Sequence, residues 1–91
     1  MKNYESQFKK LLNAARVDAL SGKESWHFAL RYGLPEGPFI TLARVAEETG
    51  LSRERVRTIL LRAKRLMIAR AKLEIESENT SQPCAKLALY I

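Results

Sequence analysis

The sequence has little of several residue types on which common kinds of site depend. It contains one cysteine, Cys84, and one histidine, His27, so it can form no internal disulfide and lacks the ligands of a structural zinc site. Its four glycines form no glycine-rich phosphate loop. His27 lies among aromatic residues and Cys84 has no histidine beside it, so both are expected to be packed rather than catalytic. We therefore predict no enzyme, no cofactor and no metal site.

Long apolar runs are also missing. Charged residues interrupt every apolar stretch, so no membrane span is predicted, and residues 1–12 lack the apolar run and cleavage site of a signal peptide. A single cysteine fits a reducing compartment, and the cytoplasm is the expected location. The 91 residues suffice for one domain with a small core.

The net charge of +6 is concentrated in one segment. Residues 53–72 carry eight basic groups and one acid, whereas the segments before and after them nearly balance their charges. Such a basic stripe on one element indicates an anionic partner, either nucleic acid or a membrane surface, or else a solvated helix face. The membrane alternative is weaker, because the apolar face of that segment is needed for the core.

Apolar spacing of three and four residues predicts an amphipathic helix over residues 4–20, with Gly22 as its stop. Its stripe comprises Tyr4, Phe8, Leu11, Leu12, Ala15 and Ala19. A second helix is predicted over residues 24–32, with Gly33 ending it, and a loop rich in proline and glycine follows.

A helix-turn-helix is predicted next. Thr41 and Ser52 are both suited to cap a helix N-terminus, and Gly50 is suited to end the helix between them. The second helix of this pair begins at Arg53 and is predicted to run to about residue 76. Beyond it, an apolar tail ending in Leu87, Leu89, Tyr90 and Ile91 is expected to pack on this chain or on a second copy, as an extended tail or a short strand.

The fold class is accordingly all-α, with four to five helices. We divide the chain into an N-terminal amphipathic helix (1–22), a helix-turn-helix part (23–68), and a helix extension with an apolar tail (69–91), which is a candidate for oligomerisation.

The first two turns of the helix from Arg53 place polar residues opposite its apolar side. In helix-turn-helix proteins this end enters the major groove, where arginine pairs with guanine and glutamate accepts a hydrogen bond from cytosine. Glu54 would be repelled by phosphates, so it either reads a base or orients a neighbouring arginine; the plainer alternative is an intrahelical pair with Arg57 or Thr58.

The segments KESWHFALRYGL, TLARVAEETGLSRERVRTI and RAKRLM resemble region four of bacterial RNA polymerase sigma factors, over residues 23 to about 66. That region binds the minus-thirty-five promoter element through a helix-turn-helix and also docks on the flap of the polymerase β subunit. The resemblance implies double-stranded DNA, and RNA polymerase, as partners. It implies base-reading roles for Arg53, Glu54, Arg57 and Thr58, and phosphate contacts for Lys23, Arg31, Thr41, Leu42 (through its backbone), Ser52 and Arg55.

Two residues depart from the family pattern. Thr58 stands where primary sigma factors usually have glutamine, which alters the expected sequence preference, and Arg44 replaces the usual glutamate. Nothing here resembles regions two and three, so this chain is not expected to open a promoter by itself. The sequence favours a DNA-binding transcription regulator. The alternative is a sigma mimic that binds polymerase through the N-terminal helix, Trp26 and Phe28, and a homodimer is a further expectation.

Overall fold

The structure, a computed structural model, describes residues 2–90, and it describes side chains for residues 6–89. The described residues form five helices and no strand. The helices are α1 (Lys2–Ala19), α2 (Gly22–Tyr32), α3 (Leu42–Thr49), α4 (Arg53–Glu76) and α5 (Pro83–Tyr90). The all-helical class is confirmed. The side chains of Tyr4, Tyr90 and Ile91, which were predicted to pack, lie outside the described residues. Among the described helices, none combines the length and apolarity that crossing a membrane requires.

The ends of the middle helices follow local signals in the sequence. Gly33 and Gly50 end α2 and α3 in the left-handed conformation, with φ of 62° and 74°, which glycine adopts without a Cβ penalty. Thr41 and Ser52 cap α3 and α4, as predicted. The prediction for Gly22 was wrong: α1 already ends at Ala19, and Gly22 is the first residue of α2.

Helix α4 is the centre of the fold and packs against each of the other four helices. Its buried apolar side chains recur at three and four residues: Val56, Ile59, Leu60, Ala63, Met67 and Ala71. All of these except Ile59 belong to one apolar cluster. Helices α2 and α3 cover its first half through Phe28 and Val45, while α1 and α5 add Ala15 and Cys84. One core therefore fixes the direction in which α4 leaves the turn after α3.

The C-terminal segment is a helix, so the expectation of a strand or an extended tail was wrong. A strand would place Leu87 and Leu89 on one face, but Leu87 is half-buried and Leu89 is 63% exposed. Pro83 suits the first turn of a helix, and the backbone N–H of Ala85 donates to Glu74 Oε1 at 2.9 Å. A carboxyl oxygen on α4 thus accepts from one amide at the N-terminus of α5, and the helix packs on this chain against α1 and α4.

A buried group of polar side chains joins these three helices. Glu74 is 6% exposed, and its carboxyl group lies beside the carboxyl group of Asp18 and the thiol of Cys84. The Cys84 thiol donates to the carbonyl oxygen of Ala15 at 3.4 Å. Burial raises the pKa of Glu74, and its hydrogen bond to Asp18 raises it further. Burial likewise raises the pKa of Cys84 to about 12. The folded protein therefore holds a proton on Glu74 more tightly than the unfolded chain does.

We expect this proton to make stability depend on pH. A carboxyl whose pKa is raised on folding stabilises the fold below its ordinary value of 4.5, and that contribution is lost as pH rises through the folded value. Glu74→Gln keeps an acceptor for Ala85 and a donor for Asp18 without ionising. Thermal unfolding should therefore show Glu74→Gln gaining stability over the unaltered chain as pH rises from 4 to 8. A pH-independent difference would contradict this, and Glu76→Gln, an exposed site on the same helix, controls for net charge.

Candidate nucleic-acid interface

The two helices of the helix-turn-helix, α3 and α4, each begin at a capped N-terminus. The Thr41 hydroxyl oxygen accepts from the backbone N–H of Arg44, and the Ser52 hydroxyl oxygen accepts from that of Arg55, each at 3.1 Å. Each cap satisfies one early amide, while others at the helix start, including that of Leu42, have no intrahelical acceptor. Free amides at a helix N-terminus, where the helix dipole is positive, can bind phosphate oxygens.

Four side chains proposed for base reading, those of Arg53, Glu54, Arg57 and Thr58, are all exposed on the first two turns of α4. Successive residues of a helix are turned by about 100°, so Glu54 and Thr58 lie one above the other. They point away from Val56, which is fully buried against the core. Arg53 and Arg57 form a neighbouring row, and Arg55 lies on the other flank. This arrangement is a polar ridge that stands out from the protein.

The charges of this polar ridge are only partly paired. Arg57 Nη2 donates to Glu54 Oε2 at 2.9 Å, with the two side chains 56% and 76% exposed. An exposed i, i+3 pair of this kind is worth about 0.2–0.5 kcal/mol. Arg53 and Arg55 have no ionic or hydrogen-bonding partner for their guanidinium groups among the described residues. The Glu54–Arg57 pair matches the plainer alternative, yet it is weak enough to rearrange around a ligand.

Thr58 uses its hydroxyl within the helix. Its Oγ1 donates to the backbone carbonyl oxygen of Glu54 at 3.0 Å. A threonine bonded back in this way has spent its only donor, while the residue as a whole remains exposed.

Residues from three helices meet beside the polar ridge. Arg31 of α2, Leu42 of α3 and Arg57 of α4 line one cleft of about 100 Å³, together with Lys64. Lys23 does not join them, because it lies at the opposite end of α2. Its neighbour Glu24 pairs with Arg62, on the third turn of α4, at 3.4 Å. The phosphate set expected from the sequence is therefore divided between two places.

Arg31 also holds the loop that leads into α3. Its guanidinium donates to the backbone oxygen of Ile40, and the Ile40 amide donates back to the Arg31 backbone oxygen at 3.1 Å. Ile40 directly precedes the cap residue Thr41, so this two-point contact positions the N-terminus of α3. Part of the hydrogen-bonding capacity of Arg31 is thus used inside the protein.

The later basic residues of α4 differ in their surroundings. Arg62 pairs with Glu24, and Arg70 lies 3.9 Å from the Asp18 carboxylate and donates to the Asp18 backbone oxygen at 3.0 Å. Lys64, Arg65 and Lys72 are exposed. These interhelical pairs give no signal in the sequence, since each joins residues more than thirty positions apart. They hold the charge of two arginines against α1 and α2, away from the polar ridge.

Two exposed aromatic residues, Trp26 of α2 and Phe39 of the following loop, line different clefts. Trp26 is 54% exposed and Phe39 is 55% exposed, whereas Phe28 and His27 are buried. The ring Nδ1 of His27 lies 2.7 Å from the Lys23 backbone oxygen. Trp26 lines a cleft of about 570 Å³ with Leu30 and Ile40. Of the two aromatics expected to bind polymerase, only Trp26 is available to a partner.

A known protein family matches the region of the chain that contains the polar ridge. The model of the family described as Sigma-70, region 4 matches residues 17–66, from the end of α1 to the fourth turn of α4. The match spans more than half of the chain and includes α2, α3 and the whole polar ridge. No curated protein and no solved structure matches the chain.

Proposed function

The chain belongs to the sigma-70 region 4 family, and from this membership we propose that it is a sequence-specific regulator that inserts the start of α4 into the major groove of promoter DNA. The family consists of DNA-binding helix-turn-helix domains related to transcription, which are not enzymes. The single observation that supports the proposal most strongly is the polar ridge, because Arg53 and Arg55 are exposed and unpaired within the described residues at the exposed start of a helix held by the core.

The proposed role of each residue follows from the direction in which its side chain faces. Arg53, Glu54, Arg57 and Thr58 face outward and read base edges, with arginine donating to guanine and Glu54 accepting from the amino group of cytosine. Arg55, on the flank, and the capped starts of α3 and α4 contact phosphates on either side of the groove. Thr41, Leu42 and Ser52 would do so mainly through backbone amides. Such contacts orient the helix but do not select sequence.

Arg31 and Lys23 have different proposed roles. Arg31 borders the cleft that contains Arg57, so it can reach a phosphate while still holding Ile40. Lys23 lies at the far end of α2, and a contact there would require the duplex to extend past the third turn of α4. We therefore expect Lys23→Ala to affect binding less than Arg31→Ala.

Selection of bound duplexes from a random pool tests the proposal. The unaltered chain should enrich one motif at physiological salt. Arg53→Ala and Glu54→Ala should each relax the preference at one position, by about 1–3 kcal/mol. Glu47→Ala, an exposed acid on α3, is the matched control and should leave the motif unchanged. Failure to enrich any motif would overturn the proposed function. An unchanged motif with Glu54→Ala would remove only the role of that residue.

A second candidate function is favoured by the exposure of Trp26 beside an open cleft. In this alternative the chain binds RNA polymerase at the β flap and alters promoter choice without reading DNA. Trp26→Ala would then abolish capture of a purified flap fragment, and the unaltered chain would give no sequence-specific gel shift with promoter DNA. Capture that is equally strong with Trp26→Ala would contradict this alternative.

A homodimer is proposed as a further property, with two copies engaging two half-sites. The apolar stripes of α1 and α5 already pack within the chain, so a dimer would use side chains that remain exposed, such as Leu61 and Ile68 of α4. Light scattering that gives the mass of one chain at high concentration would contradict it.

A further inference from the structure

We propose that Thr58 recognises DNA through its methyl group, by contact with the C5-methyl of a thymine, rather than through its hydroxyl. This inference rests on the proposed function, since it concerns one position of the same interface.

The hydroxyl of Thr58 is already engaged within the protein. Thr58 Oγ1 donates to the backbone oxygen of Glu54 at 3.0 Å, so its only hydrogen is spent within α4. To donate to a base acceptor, such as guanine N7 or thymine O4, it would have to give up this bond. A residue committed in this way offers DNA a β-branched carbon surface, and β-branching leaves the side chain little freedom to turn away.

Thr58 is exposed and lies directly above Glu54 on the polar ridge, one turn further along the helix. In the major groove, thymine alone carries a methyl group among the standard bases, and threonine methyls are suited to contact it. The methyl group of Thr58 therefore matches one base, whereas its hydroxyl oxygen could only accept from an amino group of adenine or cytosine.

The distance between Glu54 and Thr58 along α4 limits how far apart the two bases that they contact can lie. Four residues of α-helix span about 6 Å along the axis, and base pairs are stacked about 3.4 Å apart. The thymine is therefore expected within about two base pairs of the base that Glu54 reads. The preferred site should accordingly contain a cytosine and a thymine close together.

Replacing each thymine of the selected duplex in turn by deoxyuridine tests this directly, because the change removes only the methyl group. At one position the unaltered chain should bind about fourfold more weakly, which corresponds to the burial of one methyl group. Thr58→Val keeps the branched carbon surface and should retain this sensitivity at the same position. Thr58→Ser keeps the hydroxyl and should lose it. The other thymines of the duplex serve as internal controls.

The outcomes separate the two levels of the proposal. If the sensitivity persists in Thr58→Ser, the methyl group of Thr58 does not make the contact and the inference is wrong. If a motif is selected but no thymine responds to changes at residue 58, the inference is also wrong while the proposed function stands. If no motif is selected, both fail.

Discussion

Arg53→Glu should weaken specific DNA binding on the order of 100-fold at physiological salt. Loss of a bidentate arginine–guanine contact alone corresponds to about 1–3 kcal/mol, and every 1.4 kcal/mol is a tenfold change. Reversing the charge adds repulsion from nearby phosphates. The protein should still fold, because Arg53 is exposed and has no partner within the described residues. Fluorescence anisotropy with the selected duplex, together with a circular dichroism melt, measures both effects.

Lys72→Glu is the matched control, since it makes the same charge change on the same helix. Lys72 is exposed and lies 19 residues after Arg53, about 28 Å along the helix axis. That distance exceeds several Debye lengths at physiological salt, so the long-range effect should be small, about threefold or less. Equal losses for both variants would mean that binding follows net charge and not the polar ridge.

Gly33→Ala should destabilise the fold by about 2–5 kcal/mol. Two costs add: a left-handed conformation costs a residue with a Cβ about 1–2 kcal/mol, and overpacking costs about 1–3 kcal/mol. Gly33 has φ +62°, and a Cβ there would overlap the backbone oxygens of Gly37 and Pro38. These are backbone atoms, so the overlap cannot be relieved by a side-chain rotation. The loop that leads to Thr41 would have to move.

Gly50→Ala separates the two costs. Gly50 has φ +74°, but a Cβ there would meet no atom within 4 Å. We therefore expect only the conformational cost, about 1–2 kcal/mol. Chemical denaturation of the two variants gives the comparison. Similar losses would show that close packing around Gly33 contributes nothing to stability.

A further consequence of Gly33→Ala should be weaker DNA binding, because Ile40 and Thr41 position the start of α3.

Local chemistry accounts for the parts of the fold that the sequence predicts well. Gly33, Thr41, Gly50 and Ser52 act on backbone groups within a few residues, so their effects can be predicted without the tertiary structure. The same holds for the outward direction of Glu54, which follows from helical periodicity once the buried positions of α4 are identified.

Contacts between distant segments account for most of what the sequence left open. The N-terminus of helix α5 is stabilised by the bond from the Ala85 amide to Glu74, and no local sequence pattern predicts that bond. The pairing of Arg62 with Glu24 distinguishes a structural arginine from the neighbouring exposed Lys64, although the two look alike in the sequence. The direction of the Thr58 hydroxyl depends on a local bond to the Glu54 carbonyl, yet it cannot be predicted either, because a back-bonded threonine and a free one have the same sequence.

The most direct test of the central claim, that the start of α4 enters the groove, is a titration of the isotope-labelled chain with the selected duplex, followed by amide chemical shifts. The largest changes should fall on residues 41–44 and 52–58, with small ones on α5 and on α4 beyond residue 70. Changes concentrated on α5 or around Trp26, with residues 52–58 unaffected, would contradict the account.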